Sequence, residues 1–277
     1  MQDNRRKAAD NLIRRVAEGD RGAFDSLYRT TADWLHALAL SMIGDRQQAE
    51  TALQDVFRQV WTQADAQKGS GLSVLAWLVA LTRARALQGR AAPVLATTGG
   101  DPVTIDAARL TEVLATLAEG ESATLRDAAL KGTAPADPAA FDAAVRAIAA
   151  PPEPAAADEV LAAKAALGLL DDAGAADATR RQATDPGFAE RLRGWYERIA
   201  LLATGLTPVL LPARARLALD RSLGHAMPSD MGDIVIRSRP RPTADRGDGR
   251  FWIVLLAVLI LGGAAIVLWP QIAQIIR

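Results

Sequence analysis

AETALQDVFRQVW (residues 49–61) places Ala49, Leu53, Val56, Phe57 and Val60 at the three- and four-residue spacings of one helix face. Glu50, Gln54, Arg58 and Trp61 form the adjacent face, with Asp55 and Gln59 beside it. Upstream, Phe24, Leu27, Tyr28, Trp34, Leu35, Leu38 and Met42 continue the same period between Gly19-Asp20 and Gly44-Asp45, and Leu12, Ile13, Val16 and Ala17 start an earlier helix. Downstream, a glycine-containing loop from Asp65 to Leu72 leads to a helix lined by Val74, Leu75, Leu78 and Leu81, which displays Arg83, Arg85 and Arg90. Residues 8–90 therefore read as about four helices.

The composition agrees with an all-α chain. Half of the 277 residues are hydrophobic but only 5% are aromatic, and alanine is abundant, a mix that favours helices packed through small side chains over sheets. The chain has no cysteine, which excludes disulfides, thiolate nucleophiles and cysteine-ligated zinc. Its two histidines, His36 and His225, are far apart in sequence and read as ordinary helix residues. No metal-spacing cluster, phosphate-cradling glycine loop or serine elbow is present, so nothing points to an enzyme or a cofactor. Net charge is zero but uneven. Residues 1–90 carry thirteen Lys/Arg against ten Asp/Glu, and residues 91–160 carry four against eleven, so the middle of the chain repels nucleic acid.

FWIVLLAVLILGGAAIVLW (251–269) holds no charge over nineteen residues, a length of roughly 28 Å as a helix and enough to cross a bilayer. Trp252 and Trp269 stand at its ends, where amphipathic aromatics prefer the headgroups. Arg237, Arg239, Arg241, Arg246 and Arg250 precede it and only Arg277 follows, so the positive-inside rule puts the N-terminal portion in the cytoplasm of a single-pass inner-membrane protein. Residues 226–250 read as a flexible tether and 270–277 as a short extracytoplasmic tail with no sensor domain.

GDRGAFDSLYRTTADWLHALALSMIGDRQQAETALQDVFRQVW (19–61), followed by WLVALTRARAL (77–87), resembles region 2 of the extracytoplasmic-function sigma factors, which direct bacterial RNA polymerase to promoters. The resemblance covers residues 10–90 within a domain set at 1–92. It implies that Glu50, Gln54, Asp55 and Gln59 dock on the basic coiled coil of the polymerase clamp, as a carboxylate-and-amide helix face suits a basic partner. It implies phosphate contacts to promoter DNA through Arg83, Arg85 and Arg90. Three positions depart from the family pattern: Thr51 and Gln88 replace an Asp, and Ala84 replaces an Asn. The loop Asp65–Leu72 offers no aromatic residue to stack a flipped base, so promoter binding is expected to be weak or absent.

Residues 93–150 form a degenerate helical segment. TEVLATLAEGESATLRDAALKG (111–132) resembles the opening of the family's second DNA-binding module, region 4. A recognition helix needs basic or amide side chains that reach base edges, and TAPADPAAFDAAVRAIAAPPEP (133–154) offers Arg146 alone.

After a linker at 151–157, residues 158–171 form one helix and a second begins near Asp177. Thr184 or Asp185 caps a longer helix with Pro186 in its first turn. Along that helix Phe188, Leu192, Trp195, Ile199, Leu202 and Leu206 form a seam that wants a partner surface, and residues 213–224 make a last short helix. Residues 158–225 resemble the cytoplasmic domain of anti-sigma-K-type anti-sigma factors, which clamps a sigma factor and is followed by a single membrane helix. The whole therefore reads as a membrane-tethered fusion of a sigma-like module with its own anti-sigma-like clamp. Tethering raises the effective concentration of the clamp to roughly millimolar. Release would come from another sigma or anti-sigma protein, or from proteolysis near the membrane. The competing reading is a membrane-anchored scaffold that no longer touches polymerase or DNA.

Overall fold

A helix with no polar stripe must be covered on every side, and the run from Val74 to Thr82 is such a helix. The computed structural model describes residues 2–87, 100–152 and 154–225. The expected tether at 226–250, span at 251–269 and tail at 270–277 lie outside the described residues, as does Arg90. Among the described residues the chain is all-α, with twelve helices and no strand: α1 (Gln2–Ala17), α2 (Arg21–Ile43), α3 (Arg46–Thr62), α4 (Ala64–Ser70), α5 (Val74–Ala86), α6 (Ala107–Thr116), α7 (Glu119–Lys131), α8 (Pro138–Ala149), α9 (Ala156–Leu167), α10 (Asp172–Thr184), α11 (Pro186–Ala203) and α12 (Ala213–Ser222). None of these helices is long and apolar enough to cross a membrane.

Helix α5 is buried at Val74 and at every position from Ala76 to Arg83. Helices α1, α2, α3 and α4 pack against it from the N-terminal part of the chain and α11 from the C-terminal part. Helix α7 bridges α2 and α11, α8 joins α7 to α9, and α10 lies against α9 and α11. The segments expected as separate domains thus share one core within a single unit, Met1–Met227. The expected seam is the reason. Phe188, Leu192, Trp195 and Ile199 are all fully buried on a helix packed against α5 and α9, so its partner surface is the rest of this chain. Leu202 is half-buried, and Leu206 lies beyond the helix end at Ala203, also half-buried.

Local chemistry sets the helix ends. Asp20, Asp45, Ser73, Asp106, Asp137, Asp171 and Asp185 each accept a backbone N–H at a helix start, the role short polar side chains fill best. The cap at Asp171 starts α10 at Asp172, earlier than the expected Asp177. Most of Asp65–Leu72, expected as a loop, is the helix α4. Gln67 Nε2 donates to the Leu72 carbonyl at 2.6 Å, Ser70 Oγ donates to the Gln67 carbonyl at 2.6 Å, and Gly71 ends the turn at φ 66°. Gly132 ends α7 at φ 66°, and a Cβ there would stand 2.8 Å from Met42 Cε. This close approach seats α7 against the end of α2.

The N- and C-terminal helices are also joined by buried polar contacts. Glu197 on α11 accepts from Ser73 N at 2.6 Å and from Ser73 Oγ at 2.7 Å, while Ser73 itself caps α5. Glu159 on α9 accepts from Trp195 Nε1 at 2.8 Å, with Arg191 and Arg198 at 3.5 and 3.7 Å. Glu197→Ala leaves the Ser73 amide buried without its acceptor and is expected to cost about 3 kcal/mol in chemical denaturation, against less than about 0.5 kcal/mol for the exposed Glu190→Ala. The core from α1 to α11 is expected to unfold in one transition in both cases.

Candidate functional site

Helix α3 presents the face that the sequence singles out. Asp45 caps it, accepting from Gln48 N at 2.8 Å, and Ala49, Leu53, Val56, Phe57 and Val60 seat it on the core. Its four candidate docking residues fall in three different settings. Glu50 is only 5% exposed, because α12 lies over it and Arg214 grips its carboxylate, with Nη2 at 3.0 and 3.1 Å from the two oxygens and Nε at 3.3 Å. Gln54 and Asp55 are half-buried, and Asp55 pairs with Arg58 at 2.6 Å and with Arg85 at 2.7 Å. Gln59 is exposed and donates to Gln63 at 3.1 Å. Beside Asp55 an open groove of about 600 Å³ is lined by Asp45, Gln48, Thr51 and Arg85. The α3 face is therefore covered at Glu50 and open at Asp55.

The candidate DNA-contacting arginines separate. Arg85 is exposed and paired with Asp55. Arg83 is fully buried and cannot meet a phosphate in this fold. It donates to the carbonyls of Ala129, Ala128 (3.3 Å) and Leu167 (3.0 Å), at the ends of α7 and α9. Helix C-termini carry partial negative charge, so these carbonyls take the place of a carboxylate. Burial lowers the Arg83 pKa to about 10, and the guanidinium stays charged at neutral pH. Helical spacing does not separate the two residues: Arg83 follows Ala76, Val79 and Ala80 by seven, four and three positions, and Arg85 follows Leu78, Leu81 and Thr82 by the same intervals.

A second set of contacts was not legible in the sequence. After α11 the chain runs without helix from Thr207 to Pro212 and lies along α2. Val209 N donates to the Asp33 carbonyl at 3.0 Å, Leu211 N donates to Asp33 Oδ1 at 3.0 Å, and His36 Nδ1 donates to the Val209 carbonyl at 3.1 Å. On α12, Arg216 bonds Asp25 and Asp220 and stacks over Tyr28 (4.6 Å) and Phe24 (5.6 Å). His225 packs edge-on against Trp61 at 4.7 Å and against Phe24 at 6.1 Å. Both histidines of the chain thus lie where the segment after α11 meets α2 and α3. Among the described residues no group of three or more His, Asp or Glu side chains could hold a metal.

Residues 27–91 match the Sigma-70 region 2 family. The chain is 35% identical over 78 residues to the ECF RNA polymerase sigma factor SigK of Mycobacterium sp. (strain KMS), covering 28% of this chain and 40% of that protein. It is 32% identical over 78 residues to the ECF RNA polymerase sigma factor SigK of Mycobacterium tuberculosis (strain ATCC 25618 / H37Rv), covering 28% of this chain and 42% of that one. The matched stretch spans less than half the length of these curated relatives. No solved structure matches the chain.

Arg83→Met is expected to lower stability by about 3 kcal/mol, since it leaves buried carbonyls without donors, whereas Arg85→Met should stay within about 1 kcal/mol of the parent in the same denaturation series. The His225 pKa lies below its ordinary value, because burial and then the nearby Arg21 disfavour the charged ring. The unfolded chain therefore takes up this proton first as pH falls. The histidine's contribution is complete above the unfolded value near 6.5 and is lost as pH drops through it toward the lower folded value. Thermal melts of the parent should decline below about pH 6.5 more steeply than those of His225→Gln.

Proposed function

We propose that this chain is a membrane-tethered regulator of bacterial transcription initiation, in which a sigma-like module is held silent by the chain's own anti-sigma-like C-terminal portion. The family match over residues 27–91 supports RNA polymerase core as the partner of the α3 face. The observation that carries the self-inhibition is the placement of Arg214 on Glu50: one of the expected docking residues is covered by an element from the anti-sigma-like segment. The cover stops at Glu50. Asp55 is occupied by Arg58 and Arg85 of the sigma-like module itself, so a polymerase partner must displace or join those pairs as well. Residues 251–269, with their flanking arginines, supply the inner-membrane tether on this reading and leave the helical portion in the cytoplasm.

Promoter DNA has at most a minor place. Arg83 is buried, and the acidic middle segment offers Arg146 alone among its outward basic or amide side chains after residue 132. That same observation favours a second reading, a membrane-anchored scaffold or anti-sigma factor that no longer binds polymerase or DNA.

Affinity capture from bacterial lysate with the full-length protein, probed for core RNA polymerase, separates the two. Arg214→Glu combined with Arg216→Glu should raise capture about ten-fold by uncovering Glu50, the shift expected when roughly 1.4 kcal/mol of cover is removed. Adding Asp55→Arg to that double variant should abolish the gain. If no variant captures polymerase, the sigma-like module has kept its fold without its binding, and the scaffold reading stands.

A further inference from the structure

The two halves of the C-terminal portion are attached in different ways. Helix α11 gives Phe188, Leu192, Trp195, Tyr196 and Ile199 to the common core and locks onto α5 through the buried Glu197–Ser73 bonds. Helix α9 supplies a carbonyl to the buried Arg83. Neither can leave without opening the core around α5. Helix α12, by contrast, buries only Ala215 and Leu219. Each of its polar contacts to the helices beneath it keeps one partner in solvent: Arg214 is 72% exposed although it holds the buried Glu50, and Arg216, itself 25% exposed, reaches a half-exposed Asp25. The segment before it is held to α2 mainly through Asp33 and His36, with Leu210 between those anchors 81% exposed. Pro208 and Pro212 bracket it, and the left-out N–H of each proline leaves Val209 and Leu211 to supply its donors to α2.

From this contrast we infer that residues 207–225 form a latch that opens as a unit of its own, while α9, α10 and α11 remain a permanent part of the core. The latch is the regulatory element of the proposed docking face and rests on that functional reading for its consequence. Opening it uncovers Glu50 and the Phe24, Tyr28 and Trp61 rings together, since Arg214, Arg216 and His225 all leave with one segment. It does so without disturbing α5. The same element also continues directly into the arginine- and proline-containing sequence at 226–250, so any pull or cut on that side acts on the latch first. Elements that move in a switch are drawn from the low-stability end of a structure, with few buried apolar contacts and solvent-exposed bonds, and α12 meets that description where α11 does not.

Hydrogen exchange by mass spectrometry on the full-length protein tests the latch without any polymerase present. Amides of 209–222 should exchange at least about ten-fold faster than those of α5 and α11. Arg216→Ala should speed exchange in 209–222 about ten-fold further and leave α5 and α11 unchanged, and Asp33→Ala, which removes the acceptor of Leu211 N, should do the same. If 209–222 exchange in step with α5 and α11, or if either substitution accelerates all three together, the latch is not a separate unit and the inference falls. Because this readout is independent of capture, an opening latch on a protein that binds no polymerase would overturn the functional reading alone.

Discussion

A guanidinium buried without a carboxylate is stable only where acceptors for its donors are already in place, and the Arg83 site, whose two Nη groups find them while Nε finds none, imposes that condition on three parts of the chain at once. Its acceptors are main-chain carbonyls at the ends of α7 and α9, so α5 cannot settle into the core unless the middle segment and the following helices have formed and ended where they do. Gly132, which closes α7 against Met42, and Gly168, which closes α9 in a left-handed turn, set where those helix ends stand. The expected borders near residues 92 and 150 lose their meaning as packing borders for this reason. What the chain order presents as successive modules is one body held from the inside by a cation.

How much of this could be read from the letters differs from element to element. The amphipathic period of α2 and α3, the cap at the start of α11 and the seam along it were all legible, because each depends on neighbours within a turn or two. That the seam closes on α5 was not, since the apolar face of a helix says that a partner exists and not which one. The burial of Arg83 was not legible, because a basic residue near a helix end is usually solvated and its spacing from buried positions of α5 is matched by that of Arg85. The contacts of Arg214, Arg216, His36 and Asp33 were beyond reach. They join positions more than 160 residues apart, and each of these side chains has many equally plausible surface roles.

The candidate docking face is divided between two owners. Arg58 and Arg85, from the matched stretch itself, hold Asp55, while Arg214, from the far end of the described chain, holds Glu50. Ion pairs that keep a partner in solvent are individually weak, so neither closure is strong taken alone. They differ in what accompanies them. The Asp55 pairs sit beside an open groove, whereas the Glu50 pair arrives with a helix, two stacked aromatic contacts and an anchored extended segment. A partner that approached from the groove side would meet polar side chains it could re-pair, and one that approached Glu50 would have to displace a folded element.

The embrace of α5 by α11 also bears on how the protein is born. Helix α5 ends at Ala86 and α11 does not begin until Pro186, so at a synthesis rate of about 5–20 residues per second the central helix waits on the order of 5–20 s for its second wall. During that interval Trp77, Leu78 and Leu81 have no complete cover, and the N-terminal helices cannot reach their final packing. On the ribosome, the helices up to α5 are made well before the helix that completes the cover of α5.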